Sequence, residues 1–398
     1  MTQAALAQAF KAESGRVLAA LIAQFRDFDL AEEALQDAMI EAARTWHSDG
    51  TPSSAGAWLL AVARRRALDR LRLSQRAKDE AVLQNITLLA QDQPEDEAGQ
   101  EIPDERLRLI FTCCHPALAQ EAQVALTLRT LCGLSAREIA RAFLVPHATM
   151  NQRLTRAKAK ICHAGIPYKV PERADIPARL EAVLSVIYLI FNAGYAPRDP
   201  ALSAEALRLC AVLHRLQPMA ETAGLWALME LHMARDPARL NAENTLISLK
   251  DQDRTMWGHA AIARAKTRLL HALAQSRPGP YQIQAAISAL HCEADSWEAT
   301  DWPQIRALYG ALYNLSPTPV VALNRAVAKA HAGAPKAALA ELMELQSVLE
   351  GYQPFHAAKA ELLAQCGHAA GSEYDRAISL TPAPEEQAFL RRKQQETS

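Results

Sequence analysis

Apolar residues recur every three or four positions along most of this chain, which is the period of a helix and not of a strand. "DLAEEALQDAMIEAARTW" places Ala31, Leu35, Ala38, Ala42 and Trp46 on one stripe, with Glu32, Glu33, Gln36, Asp37 and Glu41 on the other face. Asp29 followed three residues on by Glu32 has the form of a capping box and predicts the helix start there. The period is lost in "HSDGTPSSAG" (His47–Gly56), which reads as a loop. It resumes in "AWLLAVARRRALDRLRLSQR", where Arg65, Asp69 and Arg72 share a face. "AQDQPEDEAGQEIPD" (Ala90–Asp104) has no period and the polar, proline-bearing make-up of a flexible linker.

A second helical run extends from Glu105 to Gly165, and the proline-rich "PYKVPERADIP" (Pro167–Pro177) follows as a joint. Beyond it, helical segments of roughly 12–20 residues alternate with Pro or Gly breaks. "ALRLCAVLHRLQP", "YGALYNLSPTP" and "YDRAISLTPAP" each close an apolar helix on a proline, and Tyr309 and Tyr374 lie 65 residues apart. "LMELQSVL", from Leu342, falls near the midpoint. The implied period is close to the roughly 34 residues of tetratricopeptide-type (TPR-like) helical pairs. The pattern therefore predicts an all-α protein in four parts: 1–78, a linker at 79–104, 105–166, and a TPR-like repeat domain at 167–398.

Composition agrees with helix: 15 glycines in 398 residues and 6% aromatics, with half the chain apolar. The net charge of −1 excludes little, because it hides strong patches. Arg64–Lys78 has seven basic residues and one acid, Asp79–Glu105 nine acids and no base, and Pro146–Lys160 four Lys/Arg and no acid. Two basic blocks flank an acidic one, which suits a nucleic-acid partner. "MTQAALAQAFKAESGR" lacks the pattern of a secretory signal, and no apolar run reaches 18 residues, so a cytoplasmic protein without a membrane span is expected.

Candidate chemistry is sparse. The seven cysteines form no C-x-x-C pair. In "RLIFTCCHPAL", Cys113 and Cys114 adjoin His115, but neighbouring helical residues point about 100° apart, so filling a core is expected over metal binding or redox sensing. "HCEAD" (His291–Asp295) fails as a ligand set on the same ground. No nucleophile with its base, no metal set and no Gly-rich phosphate loop is present, so an enzyme, a metal and a cofactor are not expected.

The strongest local signal is "LSAREIARAFLVPHATMNQRLTRAKAKI" (Leu134–Ile161). Ser135 and Glu138 form a capping box, Pro146 breaks the first helix, and small Ala140 lets a second helix approach. That second helix presents Thr149, Asn151, Gln152, Arg153, Arg156 and Lys158, with Met150, Leu154 and Ala157 turned inward. This is a helix-turn-helix, and such side chains can pair with guanine and adenine edges or phosphates. The Arg64–Lys78 helix behind a loop bracketed by Trp46 and Trp58 suits unpaired bases.

In this order, acidic helix, loop, arginine helix, acidic linker and helix-turn-helix resemble regions 2 and 4 of bacterial RNA polymerase sigma factors of the extracytoplasmic-function (group IV) type. "DERLRLIFTCCHPAL", "GIPYKVPE", "VIYLIFNAGY", "DQDRTMW" and "PGPYQIQAAISALH" extend the likeness to the subgroup with a long C-terminal TPR-like extension. The resemblance implies that Asp29, Glu32, Glu33, Gln36 and Asp37 dock on the β′ clamp helices of core polymerase, with the β flap as a further contact. It implies a base-capturing loop from His47 to Ala57, including Ser48 and Asp49. With Trp46, Trp58, Arg64, Arg65, Asp69 and Arg72, this loop would serve the −10 element. Relatives often carry Asn where this chain has Arg65. Arg137, Thr149, Asn151, Gln152, Arg153, Arg156 and Lys158 would serve the −35 element. Partners would be core polymerase, promoter DNA, and a protein or ligand at the repeat domain. A helix-turn-helix regulator with a TPR-like sensor that never joins polymerase is the alternative; it has no use for the acidic helix.

Overall fold

The computed structural model describes residues 3–50, 52–75, 105–143, 145–172, 174–195, 200–241, 245–275, 278–381 and 383–397. The acidic linker at 79–104 lies outside the described residues. Those described are helical with no strand, as the apolar period predicts, apart from one isolated bridge between Leu240 and Leu246. They fall into two compact units, 1–217 and 218–398.

The first unit opens with a three-helix bundle, α1 (Gln3–Phe25), α2 (Phe28–Asp49) and α3 (Ala55–Gln75). The α2 stripe is its core: Ala31, Ala34, Leu35, Ala38, Ala42 and Trp46 are buried against α1 and α3. The predicted start at Asp29 is displaced. Asp27 is the cap, its carboxylate accepting from the backbone N–H groups of Asp29 and Leu30. Buried Phe28 then belongs inside the helix. The predicted loop also begins later than expected, because α2 runs through Asp49 and stops at Gly50, whose φ is 84°.

Four shorter helices follow: α4 (Arg106–Cys113), α5 (Gln120–Thr130), α6 (Ala136–Ala142) and α7 (His147–His163). The predicted capping box at the start of α6 is present in both directions. Ser135 N–H donates to Glu138 Oε2 at 2.7 Å, and Glu138 N–H donates to Ser135 Oγ at 3.2 Å. Two longer helices, α8 (Ile176–Tyr195) and α9 (Pro200–Leu216), complete this unit. The sequence grouped them with the C-terminal part, but their partners lie upstream. Arg179 Nη2 donates to Phe111 O at 2.6 Å, Gln120 Nε2 to Ser185 Oγ at 3.1 Å, and Arg208 Nη2 to Leu131 O at 2.8 Å. By length and composition α8 could cross a membrane, although Arg179 and Glu181 interrupt its apolar run. One face of it, Val183, Leu184, Val186, Ile187, Ile190 and Phe191, is buried within the unit, while Leu189 is exposed.

The second unit is a succession of helices, each packed on its neighbours: α10 (Ala220–Ala234), α11 (His259–Leu273), α12 (Pro280–Glu293), α13 (Trp302–Leu315), α14 (Pro319–His331), α15 (Pro335–Glu344), α16 (Gln346–Leu349), α17 (Gln353–Gln365), α18 (Gly371–Leu380) and α19 (Pro384–Thr397). Two 3-10 turns, 236–238 and 254–256, lie between α10 and α11. Proline opens α12, α14, α15 and α19, the position where its missing N–H costs nothing. Tyr309 and Tyr374 sit inward, Tyr309 partly buried on α13 and Tyr374 buried on α18, each just before a proline-led helix. Gly224 allows α10 to cross α12 closely, since a Cβ there would meet the Gln282 backbone at 2.8 Å.

Two histidines of this unit are held neutral. Burial, and then the nearby positive charge of Arg235, lower His291 to about 4 and His232 to about 3. An unfolded histidine binds its proton near 6.5, so between these values the unfolded state holds more protons. Stability from His291 is complete above about pH 6.5 and declines as pH falls toward 4, by on the order of 3 kcal/mol. The unfolding midpoint of this unit should fall over that window, and a flat profile from pH 7 to 4 would contradict the assignment.

Candidate polymerase and promoter interface

The acids of α2 divide between two partners. On one side, Glu33 and Asp37 pair with Arg70, with Asp37 Oδ2 2.7 Å from Arg70 Nη2. Glu41 receives Arg65 at 3.1 Å and Arg66 at 2.6 Å. The carboxylates of Asp37 and Glu41 accordingly raise the Arg70 and Arg66 guanidinium pKa values. Arg66 and Arg70 were not among the sequence candidates; the signal was the i, i+4 spacing of acids Glu33, Asp37 and Glu41 opposite an arginine-rich helix. Gln36 is exposed and free of these pairs.

On the other side, Asp29 and Glu32 face the second helical group. Arg129 on α5 donates to Glu32 Oε2 through Nε at 3.2 Å and Nη2 at 3.0 Å. Lys158 Nζ on α7 lies 2.8 Å from Asp29 Oδ1 and 3.0 Å from Glu32 Oε1. The second distance is charge attraction without hydrogen-bond geometry, since Glu32 Oε1 is buried with no bonded donor. Side-chain exposures of 14% for Lys158 and 12% for Glu32 put this contact beyond the weak surface class. Neutral packing reinforces it. Gly15 of α1 lies against the end of α5, where a Cβ would fall 2.6 Å from Leu131 O. Tyr168 donates its hydroxyl to Ala19 O at 2.9 Å.

The −10 candidates separate in the same way. Trp46 is 2% exposed and packs edge-on to Trp58 at 5.3 Å and tilted on Phe10 at 5.8 Å. It is a core residue, correcting the expectation that it meets bases; its place on the apolar stripe already pointed inward. Trp58 remains partly exposed. His47, Ser48 and Asp49 continue the α2 backbone, and their side chains lie outside the described residues. On α3, Arg65 and Arg72 are exposed and Arg64 and Asp69 partly so, with Arg72 3.5 Å from Asp69.

The −35 candidates form one face of α7. Thr149, Asn151, Gln152 and Arg156 are exposed and Arg153 is half-exposed, while Met150, Leu154, Ala157 and Ile161 anchor the helix. Asn151 is 3.3 Å from His147 Nε2, and Arg137 is exposed at the start of α6. Lys158 departs from this set: in this conformation it is turned to α2 and unavailable to DNA.

Cys113 and Cys114 point into the core, their Sγ atoms 3.4 Å from Thr130 Oγ1 and 3.6 Å from Thr127 Oγ1. Burial pushes both thiols up, Cys114 to about 12, so they stay protonated and unreactive. His115 Nδ1 accepts from Ala117 N–H at 3.1 Å, closing the turn before Pro116. Native protein should therefore alkylate with iodoacetamide at exposed Cys162 well before Cys113 or Cys114; equal rates would refute the buried assignment.

A three-helix bundle with an acidic face and an arginine helix, joined to a helix-turn-helix with an acid-free second helix, defines a DNA-binding protein of the transcription machinery. Residues 9–77 match Sigma-70 region 2 and residues 108–161 match Sigma-70 region 4. Residues 179–273 match a family of unknown function (DUF6596). An uncharacterized protein of Rhizobium meliloti (strain 1021) is 44% identical over 391 residues, spanning 94% of this chain and 92% of that protein. ECF RNA polymerase sigma factor SigK of Mycobacterium tuberculosis and Mycobacterium bovis is 30% identical over 159 residues, 39% of this chain and 82% of SigK. No solved structure matches. The chain belongs to the ECF RNA polymerase sigma factor family, whose members bind polymerase core and promoter DNA.

Proposed function

We propose that this chain is a promoter-specificity subunit that carries no active site of its own and directs core polymerase through three surfaces. Asp29, Glu32, Glu33, Gln36 and Asp37 on α2 dock on the β′ clamp helices. The loop after α2, with Trp58, Arg64, Arg65, Asp69 and Arg72, holds the melted −10 strand, where pocketing an extruded base favours opening. Arg137 and the outer face of α7 read the −35 duplex, with the β flap as the neighbouring polymerase contact. Two readers on the linker at 79–104 supply the reach between promoter elements. The second unit, 218–398, acts as a TPR-like regulatory extension with a partner or ligand of its own, and the protein works in the cytoplasm.

The observation that carries this reading is the pairing of an acidic α2 face with a basic, acid-free α7 in one chain. It also supports a closed resting state. Asp29 and Glu32 are occupied by Arg129 and Lys158, so one contact masks a polymerase-docking patch and a DNA-facing lysine together. Core polymerase must displace it. Purified core mixed with the full chain should elute as one complex that retards promoter DNA. Separate elution at micromolar concentrations would leave only the regulator that never joins polymerase.

A further inference from the structure

Arg235 follows α10 and is 8% exposed, yet among the described residues its guanidinium makes no ion pair, and its Nε is buried without an acceptor. A buried guanidinium N–H without an acceptor is costly, and buried polar groups in natural folds are normally bonded. Its surroundings add donors. The Gly258 N–H donates to Ala234 O at 2.8 Å, which ties the backbone after Trp257 to the residue before Arg235. The Trp257 indole Nε1 is itself buried without an acceptor. Arg254 stacks over that indole, 4.7 Å from the ring centroid. Its Nη1 donates at 2.7 Å to the carbonyls of both His291 and Ala294, capping the end of α12. Arg254 Nη2 and His291 Nδ1 again lack partners.

Among the described residues, the nearby acids do not answer these donors. Asp236 faces Arg239 at 3.5 Å, Glu293 pairs with Lys266 at 2.7 Å, and Asp295 and Glu298 are exposed. Arg254 has a structural task as a helix cap; Arg235 has none. Two guanidiniums, an indole N–H and an imidazole match a tetrahedral dianion. A carboxylate offers two oxygens to four donors, whereas a phosphate offers enough oxygens and the charge to balance both arginines.

We propose that Arg235, Arg254, Trp257 and His291 form a binding site for the phosphate group of a small-molecule ligand in the C-terminal helical unit. The site uses "DQDRTMW" and "HCEAD", two motifs that the promoter-reading parts leave unexplained. It gives the extension a ligand class, and it stands whether or not the chain joins polymerase.

The test is thermal unfolding of the full chain with inorganic phosphate or a sugar phosphate, against chloride at equal ionic strength. Phosphate should raise the unfolding midpoint of this unit saturably by several degrees. Arg235→Met should raise the midpoint without phosphate, by removing the unpaired charge, and abolish the phosphate shift. Arg264→Gln, elsewhere in the same unit, should keep the shift. A larger response to the sugar phosphate than to phosphate identifies a metabolite ligand, and an equal one identifies free phosphate; both support the site. As a second readout needing no arginine variant, the Trp257 indole N–H resonance, assigned with Trp257→Phe, should move on titration. A phosphate effect no larger than that of chloride, an undiminished shift in Arg235→Met, or an unmoved Trp257 resonance would overturn the proposal.

Discussion

Replacing Arg129 with glutamine is expected to tighten the binding of core polymerase by about tenfold, read as the dissociation constant in a fluorescence titration. The Arg129–Glu32 contact is charge-assisted and largely shielded, a class that contributes about 1.5–3 kcal/mol. If the closed state masks α2, the apparent constant is the intrinsic one divided by the open fraction. Weakening the contact by about 1.4 kcal/mol then moves the constant tenfold, until the open form dominates. Gly15→Val should do the same without touching a charge, because its side chain would strike Leu131 O. Asp29→Lys with Glu32→Lys opens the same contact but reverses the charge of the face proposed to dock, and should weaken core binding at least a hundredfold. The opposite signs separate masking from docking. Unchanged affinity in both Arg129→Gln and Gly15→Val would mean that the contact does not compete with polymerase.

Arg156→Ala on the exposed face of α7 is expected to weaken −35 binding by about 1–3 kcal/mol, roughly 5- to 150-fold, if its guanidinium pairs with a base edge. The loss should be confined to promoters carrying the preferred −35 base at that position. A loss equal across all sequences, with a shallower dependence on salt, would instead make Arg156 a phosphate contact. Helix α7 should be intact in the variant, because its anchors Met150, Leu154, Ala157 and Ile161 are untouched. Gel shifts over a −35 substitution series read both outcomes, and unchanged binding throughout would remove Arg156 from the interface.

How much of this was legible beforehand depends on the range of the interaction involved. The box between Ser135 and Glu138 spans three residues and uses only side chains and the adjacent backbone, so residue types at fixed spacing reveal it. The inward stripe of α7 is equally local. The true cap of α2 was missed by two residues because Asp27 and Asp29 are chemically equivalent caps, and only the burial of Phe28 decides between them. Trp46 looked available to bases beside a loop, but the same stripe that defines α2 places it in the core. The partners of Glu32 lie 97 and 126 positions away, beyond any periodic signal. That Lys158 faces α2 could not be read from a helix on which it shares spacing with exposed polar neighbours. Helices α8 and α9 were grouped downstream because a proline-rich joint precedes them, whereas their hydrogen bonds to Phe111, Gln120 and Leu131 tie them upstream.

The central claim is that this chain programs polymerase through α2 and α7. Transcription of the source organism's genomic DNA by its own purified core polymerase, with and without the chain, tests it most directly, with the 5′ ends of the transcripts mapped. The account predicts a small set of new start sites that share −35 and −10 sequences, appear only with the chain, and vanish with the Asp29→Lys, Glu32→Lys variant. The same start sites with and without the chain would contradict it.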